Sequence, residues 1–321
     1  MGGFNMRKSV VLDIGGTSIK YGIVDEDGII ERKAAVPTLA GQGGRALMER
    51  IQSLVKELWD TGGEISSVGV ATSGQVDVHT GTVRYATDIL PGWTGMPIRS
   101  ILEEAFHIPV FVENDVNAAA LGEAWQGAAR GKRDFIMVTL GTGIGGAIVI
   151  DGKIYYGSGG SAGEFGHIPI VPGGLLCTCG QRGCYEQYAS TAALIKMYEA
   201  VLNKNQDLSD PCEEKISGEM IFKALEQGDP VACRVIEEWM GYIAQGLAAI
   251  VHIFNPDLIL IGGGVSRQGA SFIRQVEKKV KERIMPSFRE MLRIRPAVLY
   301  NDAALLGAAW GALAYEKERR G

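Results

Sequence analysis

His167, Cys177, Cys179 and Cys184 supply one imidazole and three thiolates, a full tetrahedral donor set for a closed structural zinc site. The chain has five cysteines, an odd number, and three of them fall between 177 and 184. In a reducing compartment such a cluster points to metal rather than to disulfides. The C-x-C-x4-C spacing is unusual, and a buried thiol cluster with an unrelated histidine is the competing reading. Zinc is favoured because Cys177-Thr-Cys-Gly-Gln-Arg-Gly-Cys184 has too few apolar residues to hold its shape by packing. Cys212 and Cys233 read as ordinary thiols. One ion would also clamp two carboxylates near the same pocket, Glu164 three residues before His167 and Glu186 two after Cys184. Each alone reads as a surface charge; held together they are strong acceptors for the hydroxyls of a ligand.

Three glycine turns offer a second chemistry: Gly15-Gly16-Thr17, Gly141-Thr142-Gly143 and Gly262-Gly263-Gly264. Glycine lets backbone amides approach a phosphate closely. Any one of the three alone reads as a tight turn. Gly141, Gly143 and Gly146 match G-x-G-x-x-G, but a strand pattern follows where a dinucleotide site needs a helix, and no P-loop occurs. Each turn ends an apolar strand, and together they fit a nucleotide held between two lobes. Asp13, just before the first turn, is placed to help hold Mg2+ through water.

Asn114-Asp115 lies between an apolar strand and a helix pattern. Alone it reads first as a helix N-cap. The functional alternative is a general base that accepts the proton of a sugar hydroxyl during attack on a γ-phosphate. Phosphoryl transfer asks mainly for positioning, charge neutralisation and one carboxylate to orient the nucleophile. The two roles are compatible at a helix start.

The elements that must position these residues read as α/β. Val10–Leu12 is a strand that the Gly-Thr turn breaks, a second strand follows to Val24, and Asp27-Gly28 is a hairpin signal. Residues 44–60 carry helical spacing, 67–71 a strand, 98–106 a helix and 110–112 a strand before an alanine-rich helix to about Gly127. The opening pattern then repeats over 135–152, strand, Gly-Thr turn, strand and Asp-Gly, which points to a duplicated α/β lobe. Helical spacing dominates 190–203 and 217–254. A strand at 258–261, Gly262-Gly-Gly264 and a helix over 270–284 follow. The last helix, about 302–318, returns to the first lobe. The expected division is a small N-terminal lobe of 1–112 plus 302–321 and a large lobe of 113–301 carrying the zinc loop 167–184.

Composition narrows the class. At 321 residues the chain suits one large domain or two ordinary ones, with 46% hydrophobic and 21% charged residues, as in soluble globular proteins. The net charge of −5 argues against a nucleic-acid partner. Lys278, Lys279, Lys281 and Arg283 read as the solvated face of a helix. No apolar run reaches membrane-spanning length and no signal-peptide h-region opens the chain, so a cytoplasmic protein is expected. Residues 1–5 read as a start-site extension or added residues.

These motifs together resemble the ROK family (repressor, open reading frame, kinase). The matching pieces are Asp13-Ile-Gly-Gly-Thr17, Glu113-Asn-Asp-Val-Asn117, Leu140-Gly-Thr-Gly-Ile-Gly-Gly146, Gly163-Glu-Phe-Gly-His167 and Cys177-Thr-Cys-Gly-Gln-Arg-Gly-Cys-Tyr-Glu186. The resemblance implies a two-lobed actin-like ATPase fold, a duplicated ribonuclease H-like architecture with an interlobe active-site cleft. It implies ATP-dependent phosphorylation of a hexose hydroxyl, with Asp115 as catalytic base. Gly74, Asn114, Asp115, Glu164, His167 and Glu186 would contact the sugar, His167 giving one ring nitrogen to zinc and the other to a hydroxyl. Asp13, Gly15, Gly16, Thr17, Lys20, Thr142, Gly143, Gly263 and Gly264 would hold ATP and its Mg2+. Family members commonly form dimers or tetramers, so a homodimer or homotetramer is expected.

The strings Ala120-Leu-Gly-Glu-Ala-Trp-Gln-Gly-Ala-Ala-Arg-Gly131 and Glu186-Gln-Tyr-Ala-Ser190 look most like the family's bacterial glucokinases, which implies glucose and glucose 6-phosphate. One departure bears on the sugar. Ser73-Gly74 stands where the family usually has Pro-Gly, adding a hydroxyl and freeing the loop backbone. N-acetylmannosamine, N-acetylglucosamine, allose, a β-glucoside and, lower, fructose are the competing substrates. A sugar-responsive transcriptional regulator is the competing class. Such members carry an N-terminal helix-turn-helix domain, for which a phosphate motif beginning at Asp13 leaves no room.

Overall fold

The computed structural model describes residues 6–205 and 216–320. Cys212 lies outside them. The chain divides into two compact units: one contains the chain up to Arg133, Ala147–Ala162 and the chain from Val298, and the other contains Asp134–Gly146 and Gly163–Ala297.

The opening strands are β1 (Lys8–Ile14), β2 (Ser18–Asp25) and β3 (Ile30–Pro37). Then come α1 (Gly43–Thr61), β4 (Ile65–Thr72), the short strands β5 (Gln75–Asp77) and β6 (Thr82–Tyr85), α2 (Ile98–Phe106), β7 (Val110–Asn114) and α3 (Asp115–Gln126). The next strands are β8 (Phe135–Leu140), β9 (Ile144–Ile150) and β10 (Lys153–Ile154), followed by α4 (Glu186–Ala189), α5 (Thr191–Asn205), α6 (Gly218–Glu226) and α7 (Pro230–Phe254). The chain ends with β11 (Leu258–Gly262), α8 (Gly269–Lys281), α9 (Pro286–Arg289), β12 (Arg293–Pro296) and α10 (Ala303–Arg320).

The first sheet runs β3-β2-β1-β4-β7 and the second β10-β9-β8-β11-β12. Numbered within each sheet, both have the order 3-2-1-4-5, so the duplication expected from the repeated hairpin pattern is present at the level of whole sheets. In the first, β1 and β2 form an antiparallel hairpin while β4 and β7 add in parallel. In the second, β8, β11 and β12 are parallel neighbours and β9 and β10 antiparallel. This is the α/β, actin-like ATPase arrangement.

Hydrophobic periodicity explains most elements. Leu47, Ile51, Leu54, Val55 and Leu58 bury one stripe of α1 against Val10, Leu12 and Ile23 of the first sheet. The central strand β1 is buried along nearly its whole length, the pattern of a strand covered on both faces. The helical run over 217–254 is broken into α6 and α7 at Gly228-Asp229-Pro230. The Asp229 side chain accepts from the Ala232 amide, and Pro230 opens α7 at a position where its missing amide costs nothing. The helix expected over 270–284 ends at Lys281, while β5, β6 and β12 had no counterpart in the sequence reading.

The division into units differs from the boundary expected near 112. β7 and α3 stay with the first unit because α3 lies against α10. The two helices cross at Gly122 and Gly307, where a Cβ on either would overlap a carbonyl of the other helix, Ala303 or Ala118. α10 also meets β4 closely, since a Cβ at Gly69 would overlap the Ala308 carbonyl. The buried Glu123 adds a polar tie by accepting from the Ala128, Val298 and Leu299 amides. Among the described residues no helix is long and apolar enough to cross a membrane.

Alanine in place of glycine gains about 1 kcal/mol in an open helix. At Gly307 the contact should reverse the sign: Gly307→Ala is expected to lose about 1–3 kcal/mol in chemical denaturation. A gain in stability would contradict the close crossing.

Candidate active site

In the first unit four strand ends bring together Asp13, Lys20, Ser73, Gly74, Asn114 and Asp115. Asp13 and Lys20 are cross-strand partners in the β1–β2 hairpin, and the Lys20 Nζ lies 2.8 Å from the Asp13 carboxylate. The turn between them is tied at Gly15, whose amide donates to the Ser18 carbonyl at 3.0 Å and whose carbonyl accepts from the Thr38 hydroxyl at 2.6 Å. Gly16 and Thr17 lie at the tip of this turn.

Gly74 follows β4 with φ +104, a conformation that disfavours any side chain, and a Cβ there would sit 2.7 Å from the Tyr85 carbonyl oxygen. Its own carbonyl accepts from the Asn114 side-chain amide at 3.0 Å. The β4 end is thereby fastened to the β7–α3 junction.

At that junction Asn114 is the N-cap. Its backbone is extended, and its side-chain oxygen accepts from the Val116 and Asn117 amides at 2.9 and 3.1 Å. The cap therefore falls to Asn114, and Asp115 is the first residue of the helix. The Asp115 Oδ1 accepts from the Asn114 side chain at 3.0 Å and from the Val116 amide at 2.9 Å, while Oδ2 accepts from the Ser73 hydroxyl at 3.0 Å. Burial, and then the nearby negative charge of Asp13, raise its pKa to about 6; Ser73, Val116 and Asn114 pull the other way.

Beneath the junction sits Glu113, fully buried, a residue to which sequence reasoning gave no role. It accepts from the Asn114 amide at 2.8 Å, the Asn117 side chain at 3.1 Å and the Tyr156 hydroxyl. Burial raises its pKa against those three hydrogen bonds. Its signals in the sequence are a charged residue closing an apolar strand and its place at the head of the Glu113-Asn-Asp-Val-Asn117 motif. Its partner Tyr156, 43 positions away, gave none.

The second unit gathers the other expected residues. Gly141-Thr142-Gly143 forms the β8–β9 turn, with the Gly141 amide donating to the Gly143 carbonyl at 3.0 Å and Thr142 and Gly143 exposed. Gly263 (φ +76) lies against this strand, since a Cβ there would overlap the Leu140 carbonyl. Two of the three glycine turns therefore neighbour each other, with Gly264 next to them. Gly146 has a different task from the other glycines of the G-x-G-x-x-G match. It sits in β9 facing Phe165 and the Gly163 carbonyl, which lets the Gly163–His167 turn pack closely.

That turn presents Glu164 and His167 next to the cysteine cluster. The four donor atoms of His167, Cys177, Cys179 and Cys184 lie within 4.8 Å of one another. Cys177 Sγ is 3.6 Å from His167 Nδ1, and Cys179 Sγ is 3.6 Å from Cys184 Sγ. A tetrahedron of about 2.3 Å zinc–sulfur bonds has edges of about 3.7 Å, so both separations fit one cation. Burial, and then Cys179 and Cys177, push the Cys184 thiol up to about 12. A dication reverses that cost by stabilising the thiolates. Below the cluster, Tyr185 is wholly buried and donates to the Ile243 carbonyl at 2.9 Å, so it anchors the chain between Cys184 and Glu186. Glu186 opens α4 and accepts from the Cys177 thiol at 3.1 Å, and its Oε2 would lie 2.9 Å from a Cβ at Gly143. Cys233 is exposed and lies outside the cluster.

Comparison with known proteins agrees with these motifs. The sequence matches the ROK family over residues 9–315. It is 36% identical over 308 residues to a glucokinase of Thermotoga maritima, covering 94% of this chain and 96% of the relative. It is 38% identical over 312 residues to a glucokinase of Streptomyces coelicolor, covering 95% and 97%. Among solved structures, a ROK family glucokinase from Streptomyces griseus in complex with glucose and AMPPNP superposes with a TM-score of 0.83 at 36% identity, covering 98% of this chain and all of that one.

Metal analysis of protein prepared without added metal should find about one zinc per chain. Cys179→Ser should lower that content. Fresh protein free of zinc would remove the assignment.

Proposed function

The chain belongs to the ROK family, and from that premise we propose that it transfers the γ-phosphoryl group of ATP to the 6-hydroxyl of glucose. The observation that carries the reading is Asp115: a half-buried carboxylate at a helix start, not itself the cap, with no cation paired to it among the described residues, and with its pKa raised to about 6. A structural cap needs none of this, and neither does a protein that only binds sugar or DNA. Glucose is the sugar named for the similar enzymes and for the liganded structure.

In the proposed reaction Asp115 accepts the hydroxyl proton as the sugar oxygen attacks phosphorus. Asn114, the Gly74 loop, Glu164, His167 and Glu186 are the groups that the family resemblance assigns to the sugar hydroxyls. The glycine turns at 15–17, 141–143 and 263–264 offer amides to the phosphates, and Lys20 adds a positive charge beside Asp13. Asp13 is suited to a hydrated Mg2+, because its charge already acts on Asp115 and a cation would relieve two neighbouring carboxylates. Mg2+ supplies charge neutralisation on the phosphates. The zinc ligands His167, Cys177, Cys179 and Cys184 fix the Glu164–Glu186 region and take no part in the proton transfer. The same resemblance points to a cytoplasmic homodimer or homotetramer.

A base must be ionised to work, so turnover should fall as pH drops through about 6 and level off above it. Asp115→Asn should lower kcat by about 100-fold or more while glucose binding stays measurable by calorimetry; near-normal turnover would reject the assigned base. The same variant separates activity from stability. A carboxyl whose folded pKa is raised from 3.8 to about 6 destabilises the fold when ionised, a cost that grows as pH rises through that interval. Asp115→Asn should therefore melt higher than the parent at pH 7, and the difference should vanish below the lower value. An equal difference at all pH values would contradict the raised pKa.

A further inference from the structure

Resting on the reading of Asp115 as the base, we infer that Ser73 is a positioning residue that holds the Asp115 carboxylate with Oδ2 toward the reacting hydroxyl and keeps that oxygen ionised. The two carboxylate oxygens are not equivalent. Oδ1 accepts from both the Asn114 side chain and the Val116 amide, at 3.0 and 2.9 Å. Oδ2 has one donor among the described residues, the Ser73 hydroxyl at 3.0 Å. An oxygen that already accepts from two donors is the weaker base. The proton therefore goes to Oδ2, and Ser73 is the group that orients it.

The hydroxyl is itself held in place. The Ser73 amide donates to the Ile14 carbonyl at the end of β1 at 3.0 Å, just beyond the carboxylate of Asp13. On one side of Ser73, Thr72 is buried and its hydroxyl accepts from the Trp93 indole at 3.0 Å. On the other, the Gly74 carbonyl is bound by Asn114, the residue that also donates to Oδ1. Ser73 and Asn114 thus grip opposite oxygens of one carboxylate from the ends of two parallel neighbouring strands.

The electrostatic surroundings make this grip matter. The charged and titratable neighbours of Asp115 in its unit are Asp13 on β1, with Lys20 of β2 paired to it, and Glu113 two residues earlier, bonded to Tyr156. Burial and Asp13 favour the neutral acid. The Ser73 hydroxyl favours the anion and is the foremost influence that does. In the step itself the sugar O–H bond breaks and its proton passes to Oδ2. The sugar oxygen bonds the γ-phosphorus, and the bond from phosphorus to the bridging oxygen breaks to release ADP. Ser73 neither gains nor loses a proton.

The test compares Ser73→Ala and Ser73→Thr with the parent in glucose phosphorylation across the acid limb, and follows the Asp115 carboxyl by carbon-13 NMR without substrate, its signal identified by its loss in Asp115→Asn. Removing one hydrogen bond to an anion should raise the midpoint by about one pH unit in Ser73→Ala. Turnover at pH 5 should then fall about tenfold, with a smaller loss at pH 8 and little change in glucose affinity. Ser73→Thr, which keeps the hydroxyl, should restore the parental limb. Should alanine disturb the loop, Ser73→Cys, with its weak S–H donor, gives the same comparison. An unchanged midpoint and limb in Ser73→Ala, or a threonine variant shifted as far as alanine, overturns the proposal. A raised NMR midpoint in a protein that phosphorylates no sugar would uphold the hydrogen bond and reject the function it is meant to serve.

Discussion

A carboxylate can serve as a base at neutral pH only if its surroundings make it hungry for a proton without protonating it outright. With Asp115 as the proposed base, the junction of β7 and α3 would meet that demand by opposition. Burial and the charge of Asp13 raise the Asp115 pKa, while the Ser73 hydroxyl, the Val116 amide and the Asn114 side chain hold it near neutrality. Most of what is distinctive in the first unit serves this balance. The hairpin of β1 and β2 sets Asp13 and its Lys20 partner, the end of β4 sets Ser73, and Asn114 takes over the cap so that Asp115 need not. Glu113, bonded to Asn114, Asn117 and Tyr156, fixes the junction from below.

The second unit solves a different problem, which is to give shape to glycine-rich chain with little apolar surface. It does so by close packing and by clustered donors. Gly146 and Gly263 let one backbone rest on another where any side chain would collide. Tyr185 pins the stretch between Cys184 and Glu186 to the buried face of α7. The four donor atoms beside it have separations suited to one tetrahedral cation. A cation there would hold Glu164, His167 and Glu186 without a hydrophobic core of their own.

Much of this was legible from residue order because the signals are local. The strand–glycine turn–strand pattern at both Gly15 and Gly141 marked the two hairpins and their duplication, and the Cys-x-Cys-x4-Cys run with His167 marked the cluster. What escaped the sequence depends on partners far along the chain. The alanine-rich α3 stays in the first unit because α10, nearly two hundred positions later, meets it glycine to glycine, so the boundary near 112 was drawn too early. Tyr156 carries no mark of its bond to Glu113. Ser73 was visible only as an unusual residue beside Gly74, and its meaning lies in the distance to a carboxylate at the start of α3. The strand β12 reads Arg-Ile-Arg-Pro, too short and too charged for periodicity to reveal.

The central claim is that Asp115 receives the proton of the phosphorylated hydroxyl. A crystal structure of this chain with glucose and a non-hydrolysable ATP analogue tests it most directly. The account predicts the sugar 6-hydroxyl within about 2.6–3.2 Å of the Asp115 Oδ2, on the side facing the γ-phosphorus. A glucose bound with that hydroxyl turned away from Asp115, or aligned for attack with another group as its proton acceptor, would contradict it.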